Sequence, residues 1–373
     1  MMSFRARPRV RAMTATTLSA VAMLAIALVA PVHAEEFSRS LTLEGDGLEL
    51  VNMIGEVELQ PASGAAYEIE IHVRGKDADP SLVTIEDGRE GGEPRVFVRF
   101  PVEEHRSYVY PELGGGKTTF SPRRDTDSGW LSAIIDGFSG KNVTVSGRGR
   151  GLEVWADVVV KVPRGHSART VNQVGRISAG RVEGDLVLDT SSGAIVVAGC
   201  RGDLVADTGS GRVEVTNHRG RKLVADTGSG SVVVEDFEGE ELTADTGSGR
   251  VELAGIRCQQ LEVDTGSGGV EAESVEADAA RIDTGSGSIT LKLDRMGDGR
   301  FVLDTGSGSV NLELPRDASA VVVAETGSGS VRVDLEGIDY DHRERDDVRF
   351  RIGGGRARVD IDTGSGSVRI SQR

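Results

Sequence analysis

The chain is poor in the side chains that build a conventional globular core. Aromatic residues make up 4% of its 373 positions, and there are 10 prolines and two cysteines. So few large rings argue against a single core of ordinary size, and two cysteines exclude a disulfide-dense scaffold. Past residue 34 no apolar run is long enough to span a membrane as a helix. An excess of positive charge is also missing, since the formal net charge is −16. That balance argues against nucleic acid and anionic lipid as partners. No Ser/His/Asp set, Cys/His metal spacing or phosphate loop is legible in the sequence.

Residues 1–34 read as a secretory leader. Arg5, Arg7, Arg9 and Arg11 form a positive n-region, Leu18 to Val29 is a short apolar run, and Val32-His33-Ala34 resembles a cleavage site. No cysteine follows, so a lipoprotein anchor is not indicated. Removing this segment takes four arginines and no acid, leaving about −20 on the mature chain. The expected location is the periplasm or the cell surface, with no integral membrane segment after cleavage.

What the chain has in abundance is glycine, 50 residues, placed at fixed intervals. Asp-Thr-Gly-Ser-Gly begins at Asp207, Asp226, Asp245, Asp264, Asp283, Asp304 and Asp362, with variants at Asp189 and Glu325. From Asp189 to Glu325 the steps are 18 to 21 residues. A fixed period near 20 signals a stacked array. Three before each Asp and one before it stand apolar residues (Leu242 and Ala244 in one copy), and six and eight after it stand others (Val251 and Leu253). This period-2 alternation on both sides of a turn predicts two short strands with one apolar face. Such a pair buries that face only by stacking on its neighbours. The expected fold is an all-β parallel β-helix, or β-solenoid, of about 19–21 residues per rung.

The same alternation puts each Thr inward and each Asp outward. Gly209, Gly211, Gly228, Gly230, Gly247 and Gly249 are expected to supply turn angles that other residues reach at a cost. The Asp is expected to hold the turn through its own N–H groups. Hard cations such as Ca²⁺, bridging Asp207, Asp226, Asp245, Asp264, Asp283 and Asp304, are the alternative use of that row; otherwise no cofactor is implied. Asp-Thr-Gly-Ser is also the motif of pepsin-like proteases, but that chemistry needs two carboxylates across a cleft rather than a row on one surface. Cys200 falls in an inward slot and Cys258 at a turn position three rungs on, too far for a disulfide, so both thiols are expected to be free. His218 reads as a core residue.

Three regions follow the leader's end. Residues 35–101 read as early rungs or a cap. Residues 102–150 read as an insertion or cap, with a short helix over Ser128 to Phe138. Residues 151–373 form the regular array, with a charged solvated loop at about 337–358. The insertion is expected to carry individual function, with Tyr108, Tyr110 and Trp130 as candidate stacking groups for a ligand.

The array, the leader and the entry motif Asn52-x-x-Gly55-x-Val57 resemble the DUF4097 family, related to the DUF2807 head-domain group. The resemblance covers about residues 40–373. It implies a right-handed parallel β-helix, a place in the cell envelope and an adhesin-like role, and it brings no catalytic residues. The reading is therefore a non-enzymatic exported envelope protein that binds or scaffolds, with an unidentified envelope protein or glycan as partner. Two alternatives stand beside it. One is a polysaccharide-active β-helix enzyme. The other is a self-assembling subunit that pairs through the edge left by Ser367 to Arg373.

Overall fold

The computed structural model describes residues 36–120 and 142–373. Its strands run in two parallel stacks that share one buried apolar core. In the first stack Leu204–Thr208 pairs with Lys222–Thr227 and that with Glu241–Thr246, Leu on Leu and Asp on Asp. In the second, Val213–Arg219 pairs with Val232–Glu238, Val213 on Val232. The two stacks are continuous at Val251–Thr265 and Val270–Thr284, which run from one into the other. The solenoid expected from the period is the fold observed.

Alternation sets the layers. Leu242, Ala244 and Thr246 are buried while Thr243 and Asp245 face outward. The slot eleven residues after each Asp is also inward: Cys200, His218, Phe237, Ile256 and Val275 are all buried. Both cysteines are free, as the register requires, but Cys258, expected at a turn, is buried within the continuous strand Val251–Thr265.

The rung begins earlier than its motif. Gly47–Ile54 pairs with Ser167–Val174 and Val57–Pro61 with Ile177–Gly180, all parallel. Asn52, Asn172 and Thr190 then share one slot. Beyond these rungs the chain closes its N-terminal end in two ways. Tyr67–Arg74 lies antiparallel between Phe37–Leu43 and Trp155–Val162, and the hairpin Thr84–Glu90/Glu93–Arg99 extends the other stack. The segment after it forms a small separate sheet of Ser107–Val109, Val143–Ser146 and Lys117–Phe120. The helix expected at Ser128 to Phe138 lies outside the described residues.

Three local expectations are corrected. The glycines of the corner, Gly209, Gly211, Gly228, Gly230, Gly247 and Gly249, do not have left-handed φ angles. They are required by close approach: a Cβ on Gly249 would stand 1.7 Å from the Gly230 carbonyl oxygen of the rung below. The turn is held by Thr rather than Asp, because Gly249 N donates to Thr246 Oγ1 at 3.0 Å and that hydroxyl donates to Gly230 O at 2.8 Å. The charged stretch at about 337–358 is a hairpin, Ile338–Arg343 with Asp347–Ile352, whose Val348, Phe350 and Ile352 are buried. It packs antiparallel on Ala320–Thr326 and covers the C-terminal end of the first stack.

The rungs are not stacked in sequence order. Ala357–Thr363 lies between Arg300–Thr305 and Ala320–Thr326, parallel to both. Val368–Gln372 likewise lies between Val310–Leu314 and Val331–Asp334. The strand ending the chain is therefore internal, and the free edge expected at Ser367 to Arg373 does not exist.

Candidate functional site

The corner motif builds a ladder. Each Thr hydroxyl accepts from the second glycine of its own rung and donates to the glycine carbonyl of the rung beneath, from Thr208 through Thr305 and on to Thr363 and Thr326. In the early rungs asparagine does this work: Asn172 Nδ2 donates to Gly55 O at 2.7 Å and Asn52 Nδ2 to Ala156 O at 2.8 Å. The threonine and asparagine side chains are buried, so each bond also spares a buried polar group its desolvation penalty.

The outward carboxylates stand in register beside this ladder, about 4.8 Å apart by strand spacing. Burial, then the Asp207 charge, raises the carboxyl of Asp226 above its usual range; burial, then Asp226, Asp264 and Glu262, does so for Asp245. Burial followed by neighbouring charge likewise raises Asp207 and Asp304. Relief comes at Asp283, which Arg281 meets at 3.0 Å, and at Glu325, which Arg349 meets at 3.1 Å. Among the described residues no three His, Cys, Asp or Glu side chains converge in a metal-holding group.

The two tyrosines expected to offer exposed faces are core residues. Tyr108 is 0% and Tyr110 2% exposed, the first edge-on to Phe100 and the second tilted against Trp155. Strand pairing turns Tyr108 into the core, and Tyr110, just past the strand with its N–H on Ser146 O at 2.9 Å, turns inward on the same side, so neither presents a surface to a ligand. Trp130 lies outside the described residues.

A cavity that the motifs did not signal lies at the N-terminal end of the first stack. It has a volume of about 360 Å³ and is lined by Glu49, Glu90, Glu93, Arg95, Arg169 and Asp185 together with Leu48, Ala168 and Val187. Its charged wall is a ladder of adjacent strands: Arg95 pairs in register with Glu49, and Glu49 with Arg169. The Arg95 side chain is 10% exposed, carries ion pairs to Glu49 and Glu90, and lies 5.4 Å over the Phe97 ring. Burial lowers the pKa of the Arg169 guanidinium, with Glu49 and Asp189 opposing the shift. Glu93 accepts from Gly47 N at 2.7 Å, and Asp185 accepts from Asp203 N at 2.8 Å. Four carboxylates against two guanidiniums favour a cationic group or a hydroxyl donor over an anion. The cavity's size falls within the range of small-ligand pockets. Its residues come from four separated segments, so only the fold brings them together.

No curated protein matches this chain. Among solved structures, a "putative cell adhesion protein" from Clostridium sporogenes ATCC 15579 aligns at 8% identity and a TM-score of 0.18, over 91% of this chain and 100% of that one. A "putative lipid binding protein" from Parabacteroides distasonis ATCC 8503 aligns at 13% identity and a TM-score of 0.38, over 89% and 96%. A "putative adhesin" from Bacteroides fragilis NCTC 9343 aligns at 11% identity and a TM-score of 0.32, over 91% and 97%. The family model described as Toastrack DUF4097 matches residues 155–371, more than half of the chain, which therefore belongs to that family.

Proposed function

We propose that the protein is an exported, non-enzymatic component of the cell envelope: a rigid solenoid that binds or displays. The observation that carries this reading is the division of labour within the rung. The inward positions beside the corner stay apolar or Thr, as with Leu242, Ala244 and Thr246, while the outward column two before each Asp changes from Val205 to Thr243, Glu262 and Arg281. A repeated frame that carries a variable outward column suits recognition over a surface rather than chemistry at one point. The leader-like segment at residues 1–34 supports export. Among the described residues no helix is long and apolar enough to cross a membrane.

The contact region we favour is the cavity of Glu49, Arg95 and Arg169, where the N-terminal hairpin meets the first rungs. Its partner would present a cationic or hydroxyl-rich group. The test is capture from an envelope extract by the mature chain, compared with Glu49→Gln and Arg169→Ala chains of equal melting temperature. Loss of a captured species in both variants is expected. Capture that is indifferent to both would rule out the cavity as the contact region. Release of reducing ends from any polysaccharide in a parallel screen would overturn the non-enzymatic reading.

A further inference from the structure

The chain makes a rung position that it does not immediately fill. It leaves the Asp304 rung at Leu314, turns through Pro315 to Ser319, and forms Ala320–Thr326 one place beyond the adjoining position. The place between is taken later by residues 357–373. The slot's two walls are alike in kind. Thr363 Oγ1 donates to Gly308 O at 2.8 Å on one side, and Thr326 Oγ1 donates to Gly366 O at 2.7 Å on the other. Val310 N bonds Ser367 O and Val368 N bonds Ser330 O, both at 3.0 Å. Val359, Ile361, Thr363, Val368 and Ile370 are buried in the slot.

Two features make this rung separable. The residues before it are Gly353-Gly354-Gly355-Arg356, a glycine turn with φ of 58° at Gly353 and 65° at Gly355, and three consecutive glycines can change backbone conformation at little steric cost. The segment's own corner, Asp362 to Val368, has the same seven residues as the corner of its neighbour, Asp304 to Val310. The slot therefore recognises the generic rung through backbone ladders and the Thr–Gly contacts, which are the same whichever chain supplies the strand.

We propose that residues 357–373 form an exchangeable rung, and that the slot is a docking site for this same segment of a second copy of the chain. The strands fill the slot in cis when chains are dilute, because the glycine linker holds them at high effective concentration. At high chain concentration two copies exchange them, a domain swap hinged at Gly353 to Gly355.

The test uses the full chain with a protease recognition sequence inserted between Gly354 and Gly355. The folded protein is cleaved and incubated with an excess of fluorescent peptide 356–373. Co-elution of the label with the folded protein is expected, with incorporation at least about tenfold lower for peptides carrying Thr363→Val or Gly366→Ala, since each loses or blocks a ladder contact. Retention of the original segment with exclusion of the label overturns the proposal. So does unfolding on cleavage, or equal incorporation of all three peptides. As a second measurement, two differently tagged intact chains are refolded together at high concentration. Mixed dimers that persist on dilution support the swap, and exclusive recovery of single-tag species contradicts it.

Discussion

Replacing Thr246 by Val tests the ladder where it is most regular. The side chain is fully buried and its hydroxyl holds two partners, Gly249 N at 3.0 Å and Gly230 O at 2.8 Å. Valine fills nearly the same volume, so packing is kept while a half-buried donor and a half-buried acceptor both lose their partner. Each orphaned group costs roughly 1–3 kcal/mol, so the rung should lose about 2–4 kcal/mol after the added methyl is credited. Thr246→Ser keeps the hydroxyl and gives up one methyl, a loss of about 0.8 kcal/mol. The assay is urea denaturation of the two variants, with hydrogen exchange read at Gly249 and its neighbours. Because a solenoid's stability is a sum over rungs and their interfaces, faster exchange should centre on the Asp226, Asp245 and Asp264 rungs. Equal stability of the Val and Ser variants would refute the assignment of the corner to the threonine hydroxyl.

Other outcomes follow from the same geometry. Gly249→Ala should destabilise more than Thr246→Val, because its Cβ would stand 1.7 Å from a backbone carbonyl that cannot move aside alone; a melting temperature within a degree of the parent would contradict this. Asp245→Asn should stabilise, by under about 1 kcal/mol with salt screening. Its folded carboxyl titrates above the unfolded one, so the penalty is absent below the unfolded pKa and grows as pH rises through the folded value. The gain should therefore be seen at pH 7 and vanish near pH 3, and a loss at pH 7 would return the corner to the aspartate. His218 is buried in stacked contact with Phe237, and burial lowers its pKa despite the backbone oxygens of Gly202 and Cys200 and the nearby Asp203. Its contribution is complete above the unfolded pKa of about 6.5 and is lost as pH falls. His218→Phe should flatten stability below that pH, as read by denaturation at pH 5 and 7. Burial raises both thiols, and with help from Asp278 pushes Cys258 up to about 12. Iodoacetamide should label neither at pH 8 until denaturant is added.

The array was legible because a repeat constrains its own interior. Alternation around Asp245 identified Leu242, Ala244, Val251 and Leu253 as core, and the spacing of Cys200 and Cys258 excluded their bond. Adjacency was not legible. Identical corners at Asp304 and Asp362 satisfy the same local pattern in either stacking order, and only the chain's jump past one position decides between them. The roles of Thr and Asp were confused for a related reason. Both are turn-formers by composition, and which one bonds across rungs depends on a neighbour 16 residues earlier, as with Thr246 and Gly230. Asn52 and Asn172 hid their equivalence to Thr190 because a different side chain makes the same bond. Clustered aromatics marked Tyr108 and Tyr110 as a surface when the small sheet and the turn after its first strand bury them. The cavity of Glu49, Arg95 and Arg169 carries no local signal, since its members become neighbours only through parallel register.

A pair of engineered disulfides tests that register, including the intercalated last rung, most directly. Val302 and Asp360 are Cα partners on adjacent strands, and Asp360 is in turn the partner of Val323. Val302 and Val323 are thus two strand spacings apart, about 9.6 Å, beyond disulfide reach. Non-reducing peptide mapping should find a cross-link in the Val302→Cys/Asp360→Cys chain and none in the Val302→Cys/Val323→Cys chain. The reverse pattern would mean that the rungs stack in sequence order and that the slot does not exist.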